Sequence, residues 1–157
     1  MHGISLARAA ETAGVALCYE AAVAAGIPVI VMDSGEGPGM EMGVNGYVGT
    51  VSEYDSGVKA GQRLAKEGTL KVVCINHEVG NVSLDERCQG LNDGLEPSGG
   101  GTEVVAVTPD PADIQRRTEA YLSAHPDVQA VFAMGAGAAN PLIDLFHDKE
   151  LFGTLGL

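Results

Sequence analysis

The residues best suited to chemistry in this sequence are concentrated in one short polar stretch. An apolar, β-branched run, KVVCI, is followed within twelve residues by Asn76, His77, Glu78, Asn81, Asp85 and Arg87. The run predicts a buried strand, and the residues after it predict a loop and the start of a helix. In sheets of parallel strands, ligands bind where a strand leads into a helix. The stretch is therefore the first candidate site.

The residue types in this stretch suit a sugar or another polyol. Arg87 donates hydrogen bonds in a fixed planar fork, while the Asp, Glu and Asn side chains accept them, a combination that matches neighbouring hydroxyl groups. The alternative is a solvated loop in which Asp85 and Arg87 only cap and pair along the helix. The residues alone leave both interpretations open.

Metal binding is not expected here. His77, Glu78 and Asn81 resemble an HExxH motif, but Asn81 stands in place of the second histidine and Gly80 lies where the motif requires a helix. The remaining histidines are far away in sequence. We therefore assign no metal ligands.

An enzyme that uses Cys74, His77 and Glu78 is a minor alternative. Cys74 and His77 are three residues apart across a strand end, so they do not share a strand face, and no oxyanion-hole motif follows. We predict no catalytic residues.

No cofactor is expected either. GAGAAN at 135–140 follows a predicted strand as a dinucleotide-binding turn would, but Asn140 replaces the last glycine, and the sequence contains no P-loop.

The three cysteines are Cys18, Cys74 and Cys88. Cys74 is placed on a strand and Cys88 on the next helix, so the two could meet. Buried free thiols are the favoured interpretation, because cysteine is often fully buried. A disulfide between them is left open.

The overall charge limits the partners. A net charge of −12 argues against nucleic acid or an anionic membrane surface. The amino-terminal residues lack the basic and apolar regions of a secretory signal, so the sequence is expected to carry no signal peptide. No apolar run approaches the roughly 20 residues of a membrane span.

Strands and helices are predicted to alternate along the chain. Helices are expected at 8–25, from the N-cap Ser52 to about 66, at 84–95, from after Pro111 to about 124 and at 141–147, and strands at 27–32, 47–50, 71–76, 103–108, 129–134 and 152–157. The Gly-rich segment 34–46 is predicted to be a loop and 98–101 a turn. This alternation predicts an α/β fold with parallel sheets. The candidate sites are then the segments after the strands, which add Asp33, Ser34, Ser52, Glu53, Asp110 and Gly135.

Four segments resemble a known family. They are AAVAAGIPVIVMDSG at 21–35, YVGTVSEYDSGVKAGQRLA at 47–65, VVCINHEVGNVSLDERCQG at 72–90 and AYLSAHPDVQAVFAMG at 120–135. They resemble the type I periplasmic sugar-binding proteins of bacterial ABC transporters, a group related to the sensor domains of LacI-type regulators. The resemblance covers nearly the whole chain.

The resemblance implies two α/β lobes with a hinge and a ligand in the cleft between them. It assigns 1–50 to the end of lobe 1, 51–70 to a hinge crossing and helix, and 71–157 to most of lobe 2, so the chain is expected to be a fragment of the family's fold.

Matched residue by residue, the resemblance assigns ligand contacts to both lobes. Asp33 and Ser34 fall at the strand-end contacts of the first lobe, and Ser52 falls near a position that is usually acidic or an amide. Arg87 falls where the family's ligand-binding arginine lies. The expected second-lobe contacts are His77, Glu78 and Asn81. Gly135 and Gly156 stand where the family commonly has hydrogen-bonding side chains, so a conventional pentose site is not expected.

The implied function is binding without catalysis. The family's partners are a sugar or polyol and the transporter's permease, and contact with the membrane occurs only through that permease. The implied location is the periplasm, or the outer surface through a lipid anchor. A sensor domain of a LacI-type transcription regulator is the alternative.

Overall fold

The computed structural model describes residues 4–7, 13–33, 36–49 and 52–156, which form two compact units. The first unit comprises Met1–Ser52 with Gly80–Ser83, and the second comprises Glu53–Val79 with Leu84–Leu157. Each unit has its own three-stranded parallel sheet with helices between the strands. The predicted α/β class with parallel sheets is confirmed.

The first unit contains a sheet in the order β1-β2-β3. Its elements are β1 (Ile4–Ala7), α1 (Ala13–Ala24), β2 (Val29–Asp33), α2 (Glu36–Glu41) and β3 (Gly46–Gly49). Strand β1 was not predicted, because its four residues include Ser5 and show no long apolar run.

The loop predicted at 34–46 is also wrong, since α2 occupies six of its residues. Gly39 in this helix is buried, and a Cβ there would lie 3.0 Å from Val31 Cγ2. The glycine therefore allows α2 to pack closely on β2, whereas the prediction treated it as a loop former.

The second unit contains a sheet in the order β5-β4-β6. Its elements are α3 (Glu53–Lys66), β4 (Lys71–Asn76), α4 (Val82–Leu95), β5 (Gly101–Ala106), α5 (Pro111–Ala124), β6 (Ala130–Ala133) and α6 (Ala136–Asp148), with a 3₁₀ turn at Glu96–Ser98. Of the helices described in either unit, none is long and apolar enough to cross a bilayer.

The central strand β4 is buried on both faces. Val72 and Cys74 pack against α4 on one face, and Val73 and Ile75 pack against α5 and α6 on the other. This alternation follows from the two-residue period of a strand. Because β4 pairs with both β5 and β6, its last residue, Asn76, lies at the centre of the sheet's carboxyl edge.

Several predicted boundaries in the second unit need correction. Helix α6 begins at Ala136, five residues before the predicted start, and contains Pro141 in its interior. Pro141 is buried within the helix, and its carbonyl accepts a hydrogen bond from Gln115. Strand β5 starts two residues early because Gly101 already pairs with Lys71.

The described residues of the segment 152–157, which was predicted to be the last strand, form two isolated β-bridges instead of a strand. One of them joins Ala130 to Gly156.

Helices α3 and α4 contact each other through glycines. A Cβ at Gly57 would lie 2.2 Å from the Arg87 carbonyl oxygen, and one at Gly94 would lie 2.3 Å from the Val58 carbonyl oxygen. Gly61 and Gly90 have similarly close backbone neighbours. Each helix thus contributes a Gly-x-x-x-Gly pair, and the two backbones touch without intervening side chains. This contact fixes α4 relative to α3.

The start of α5 carries a carboxylate that makes the stability depend on pH. Asp113 accepts hydrogen bonds from the Thr108 backbone N–H at 2.9 Å and from Arg117 Nε at 3.1 Å. The Thr108 N–H, together with Arg117 and the Thr108 hydroxyl, lowers the pKa of Asp113 from 3.8 to about 2. A carboxyl group whose pKa is lower in the folded than in the unfolded state stabilises the fold at pH values above the unfolded-state pKa. That stabilisation is lost as the pH falls toward the folded-state pKa.

We therefore expect part of the acid destabilisation between pH 4 and pH 2 to come from Asp113. Melting temperatures measured from pH 6 to pH 2 should fall less steeply over this interval in Asp113→Asn than in the wild type. Asp148→Asn, at the exposed end of α6, is the control and should keep the wild-type slope. Equal slopes for all three proteins would contradict the assignment.

Candidate functional site

Asn76 organises the polar side chains at the carboxyl edge of the second unit's sheet. It is buried, its Nδ2 donates to Asp85 Oδ1 at 2.7 Å, and its Oδ1 accepts from the Glu78 backbone N–H at 3.0 Å. Gly80 follows with a φ of 87°, a left-handed conformation that favours glycine. Asn76 thereby ties the end of β4 to both the following loop and α4.

Arg87 is held by two groups. Its Nε donates to Glu53 Oε2 at 2.8 Å and its Nη2 donates to the same oxygen, while its Nη1 donates to the Met134 carbonyl oxygen at 2.9 Å. The Arg87 side chain is 24% exposed and that of Glu53 is 8% exposed. A guanidinium has five N–H groups. The described residues engage three of them, so, as far as the structure describes the chain, two remain for another acceptor.

His77 lies against the start of α6. A Cβ added at Gly137 would be 3.6 Å from His77 Cδ2 and Nε2, and one at Gly135 would be 4.0 Å from Cε1. Within the described part of the chain, the buried Nδ1 of His77 has no hydrogen-bond partner. Gly135, the N-cap of α6, makes no side-chain cap. Because Gly135 and Gly137 have no side chains, there is room beside them for the His77 imidazole.

Three sulfur atoms, from Cys74, Cys88 and Met134, pack together in the hydrophobic core next to the polar residues. Cys74 on β4 and Cys88 on α4 form a disulfide, with their Cα atoms 6.0 Å apart. The Met134 sulfur lies 3.7 Å from the Cys74 sulfur and 3.5 Å from the Cys88 sulfur. These are packing contacts, because a disulfide has no S–H to donate. The favoured interpretation of buried free thiols is thus wrong for this pair, and the remaining cysteine, Cys18, is free and exposed.

The predicted site residues fall into three groups. The second unit brings Glu53, His77, Glu78, Arg87 and Gly135 to the neighbourhood of the carboxyl ends of β4 and β6. Glu53 is used inside the unit, as the partner of Arg87.

Asp110 has a local role in the structure. It is the N-cap of α5 and accepts from the Ala112 backbone N–H at 3.2 Å, and it is exposed. A ligand contact by this residue stays a prediction.

The other predicted residues belong to the first unit or lie outside the described residues. Ser52 directly precedes α3, as predicted, and Asn81 is buried. Asp33 is the last residue of β2, but its side chain lies outside the described part, as does Ser34 entirely. Their roles, and the cleft between two lobes, stay predictions.

One contributor was missed in the sequence, and another was left open. The Met134 carbonyl is a backbone group, so its residue type gives no signal. The disulfide could have been favoured from the strand-then-helix placement of Cys74 and Cys88, which brings both side chains to one face of the sheet. Together these groups make a preformed donor, Arg87, at the same edge of the sheet as amide, carboxylate and imidazole groups. That set can bind hydroxyl-rich molecules.

A sequence profile described as "Periplasmic binding protein domain" matches residues 6–156. The chain belongs to this periplasmic binding protein family. A search of curated protein sequences gives no significant match.

Solved structures of similar fold include several periplasmic binding proteins. A periplasmic sugar-binding protein of an ABC sugar transporter from Legionella pneumophila is 24% identical, with a TM-score of 0.83, covering 97% of this chain and 56% of that one. A carbohydrate transporter from Acidothermus cellulolyticus 11B in complex with myo-inositol is 28% identical, with a TM-score of 0.83, and the match covers 94% of this chain and 50% of that one. A solute-binding protein from Burkholderia graminis C4D1M in complex with D-arabinose is 24% identical, with a TM-score of 0.80, and the match covers 96% of this chain and 54% of that one.

This periplasmic binding protein chain thus spans about half the length of the solved proteins that it matches. The family assignment agrees with the resemblance carried by the four segments of the sequence.

Proposed function

We propose that this chain is part of the solute-binding component of a sugar ABC transporter and binds a monosaccharide or polyol. The observation that carries the proposal is the geometry of Arg87. Glu53 and the Met134 carbonyl hold the guanidinium in place, and two of its N–H groups make no hydrogen bond to the part of the chain that the structure describes. Neighbouring hydroxyls of a sugar are acceptors that such a planar fork fits.

The other groups of the site complement that donor. His77 and Glu78 follow β4 directly, and both are half-buried, so they can exchange hydrogen bonds with a ligand while remaining partly solvated. The exposed, side-chain-free start of α6 at Gly135 leaves room beside His77. The neighbours crystallised with myo-inositol and D-arabinose support a polyhydroxylated ligand.

Binding, with no chemical change of the ligand, is the proposed activity. The proposed location is the periplasm, and the proposed partner is the permease of the same transporter. Ligand binding would shift an equilibrium between conformations that the permease distinguishes. The periplasmic binding protein family of the chain and the Legionella neighbour, a periplasmic sugar-binding protein, support this location.

The proposal is tested by thermal shift and calorimetry with ribose, arabinose, glucose, galactose and myo-inositol. A ligand at about 100 times its Kd stabilises a protein by about 2.7 kcal/mol, which corresponds to a rise of roughly 5–10 °C for a chain of this size. We expect at least one of these compounds to give such a shift. Absence of any shift at 10 mM, roughly the concentration needed for millimolar affinity, would refute the proposal for this chain.

Arg87→Lys tests the residue on which the proposal rests. Lysine keeps the charge but not the planar fork, so we expect the ligand-induced shift to be lost while the variant still unfolds cooperatively. Arg63→Lys is the matched control, because Arg63 is 77% exposed on α3 and forms an ion pair with Glu67 of the same chain segment. A shift retained in Arg87→Lys would remove Arg87 from the binding site.

A further inference from the structure

The disulfide lies directly behind the proposed binding residues. Cys88 follows Arg87 in the sequence, and Cys74 lies two residues before Asn76 on the same strand. Cys74 is fully buried and Cys88 is 2% exposed. The disulfide and the hydrogen bond between Asn76 and Asp85 are therefore two neighbouring links between β4 and α4.

Met134 connects the sulfur atoms to Arg87. Its side chain is 7% exposed and packs on both cysteine sulfurs, while its carbonyl oxygen accepts the hydrogen bond from Arg87 Nη1. A displacement of this side chain would move the residue that holds the guanidinium. Arg87 is also linked through the backbone of α4, since it adjoins Cys88.

Breaking the disulfide changes the space that the sulfurs need. Bonded sulfur atoms lie about 2.05 Å apart, whereas atoms in van der Waals contact lie roughly 3.5–4 Å apart. The two thiols must therefore separate by about 1.5 Å or more. Both cysteines and Met134 are buried in one hydrophobic cluster, so the separation must displace Met134, α4, or both.

We propose that the Cys74–Cys88 disulfide is a positioning element that sets the ligand affinity of the site through Arg87. The oxidised chain binds its ligand tightly, and the reduced chain binds it more weakly. This inference rests on the proposed function. The reduction is a dithiol exchange: dithiothreitol supplies two electrons and closes to its cyclic disulfide, the S–S bond breaks, and each cysteine sulfur ends with one proton.

Affinity is compared in the oxidised chain and in the chain reduced with dithiothreitol, by calorimetry with the sugar that binds best. We expect the reduced chain to bind about tenfold more weakly, as loss of roughly one hydrogen bond to a charged group would give. A thiol titration should rise from one reactive thiol per chain, Cys18, to three on full reduction. Values of Kd within twofold of each other would overturn the proposal.

A second readout does not depend on any ligand. The Arg87 Nε–Hε resonance in the NMR spectrum of the free chain should shift on reduction, because its surroundings at Glu53 and Met134 change. If no sugar binds in either state, the proposed function fails, while this resonance still decides whether the disulfide positions Arg87. An unchanged resonance overturns the inference even where binding is observed.

Variants identify the bond responsible. Cys74→Ala/Cys88→Ala should be insensitive to dithiothreitol in both readouts, and Cys18→Ser should keep the wild-type sensitivity. Sensitivity that persists in the double variant would overturn the proposal. If reduction unfolds the chain, as judged by circular dichroism, Cys88→Ser replaces the reduced form, and it should show the weaker binding and the shifted Arg87 resonance.

Discussion

Gly57→Ala should destabilise the second unit by about 2–3 kcal/mol, the upper part of the usual range for overpacking a tight contact. The added methyl would lie 2.2 Å from the Arg87 carbonyl oxygen and 2.8 Å from the Leu91 backbone nitrogen. Both atoms belong to the backbone of α4, so no side chain can rotate away, and the two helices must move apart. Urea unfolding followed by circular dichroism measures the loss.

Gly137→Ala is the matched control in the same unit. Gly137 lies inside helix α6, and its added Cβ would make only ordinary contacts at 3.6 Å with His77. Alanine is favoured over glycine in helices by about 0.5–1 kcal/mol, so this variant should be as stable as the wild type or slightly more stable. Equal stability of Gly57→Ala and the wild type would mean that α3 and α4 do not touch through their glycines.

Arg87→Ala should destabilise the chain by about 2–4 kcal/mol. Removing one partner of a buried ion pair costs about 3–5 kcal/mol, because the other charge stays buried, and the partial exposure of Arg87 reduces that figure. The remaining charge is the Glu53 carboxylate, whose side chain is 8% exposed. The Met134 carbonyl oxygen also loses its donor. Chemical denaturation of the purified variant gives the free energy of unfolding directly.

A double-mutant cycle separates the ion pair from the loss of packing. Glu53→Gln/Arg87→Ala removes the buried charge as well, so it should be more stable than Arg87→Ala alone. Arg63→Ala provides the comparison, because the Arg63–Glu67 pair has an N–O distance of 2.5 Å but is 77% and 52% exposed. Exposed pairs contribute about 1 kcal/mol or less. A loss in Arg63→Ala equal to that in Arg87→Ala would show that burial of the Glu53–Arg87 pair has no effect.

The elements with strong local signals could be predicted from the sequence. The apolar run at 71–76 is β4 with the predicted boundaries, because a central strand is buried on both faces and needs a continuous apolar run. Helix α5 was also predicted to within one residue at its start, since Pro111 marked the beginning of the helix and fits the first helical position.

Some elements could not be predicted in the same way, because their residue types, glycine above all, can serve either in a loop or in a closely packed helix. Glycine marked a loop at 34–46, but Gly39 permits close packing of a helix, and the glycines of α3 and α4 do the same. These contacts depend on which helices become neighbours, which a local pattern does not encode. Likewise, Arg87 was predicted to be a binding residue, but its anchors, Glu53 and the Met134 carbonyl, lie 34 and 47 residues away in sequence and were not predicted in that role.

The anchoring of Arg87 also has an entropic consequence. A free arginine side chain samples many rotamers, and fixing it costs about 2 kcal/mol. Here Glu53 and the Met134 carbonyl restrict the side chain before any ligand arrives. The entropic cost of fixing the side chain therefore arises during folding. A ligand that accepts hydrogen bonds from the two remaining N–H groups would bind to a preorganised donor.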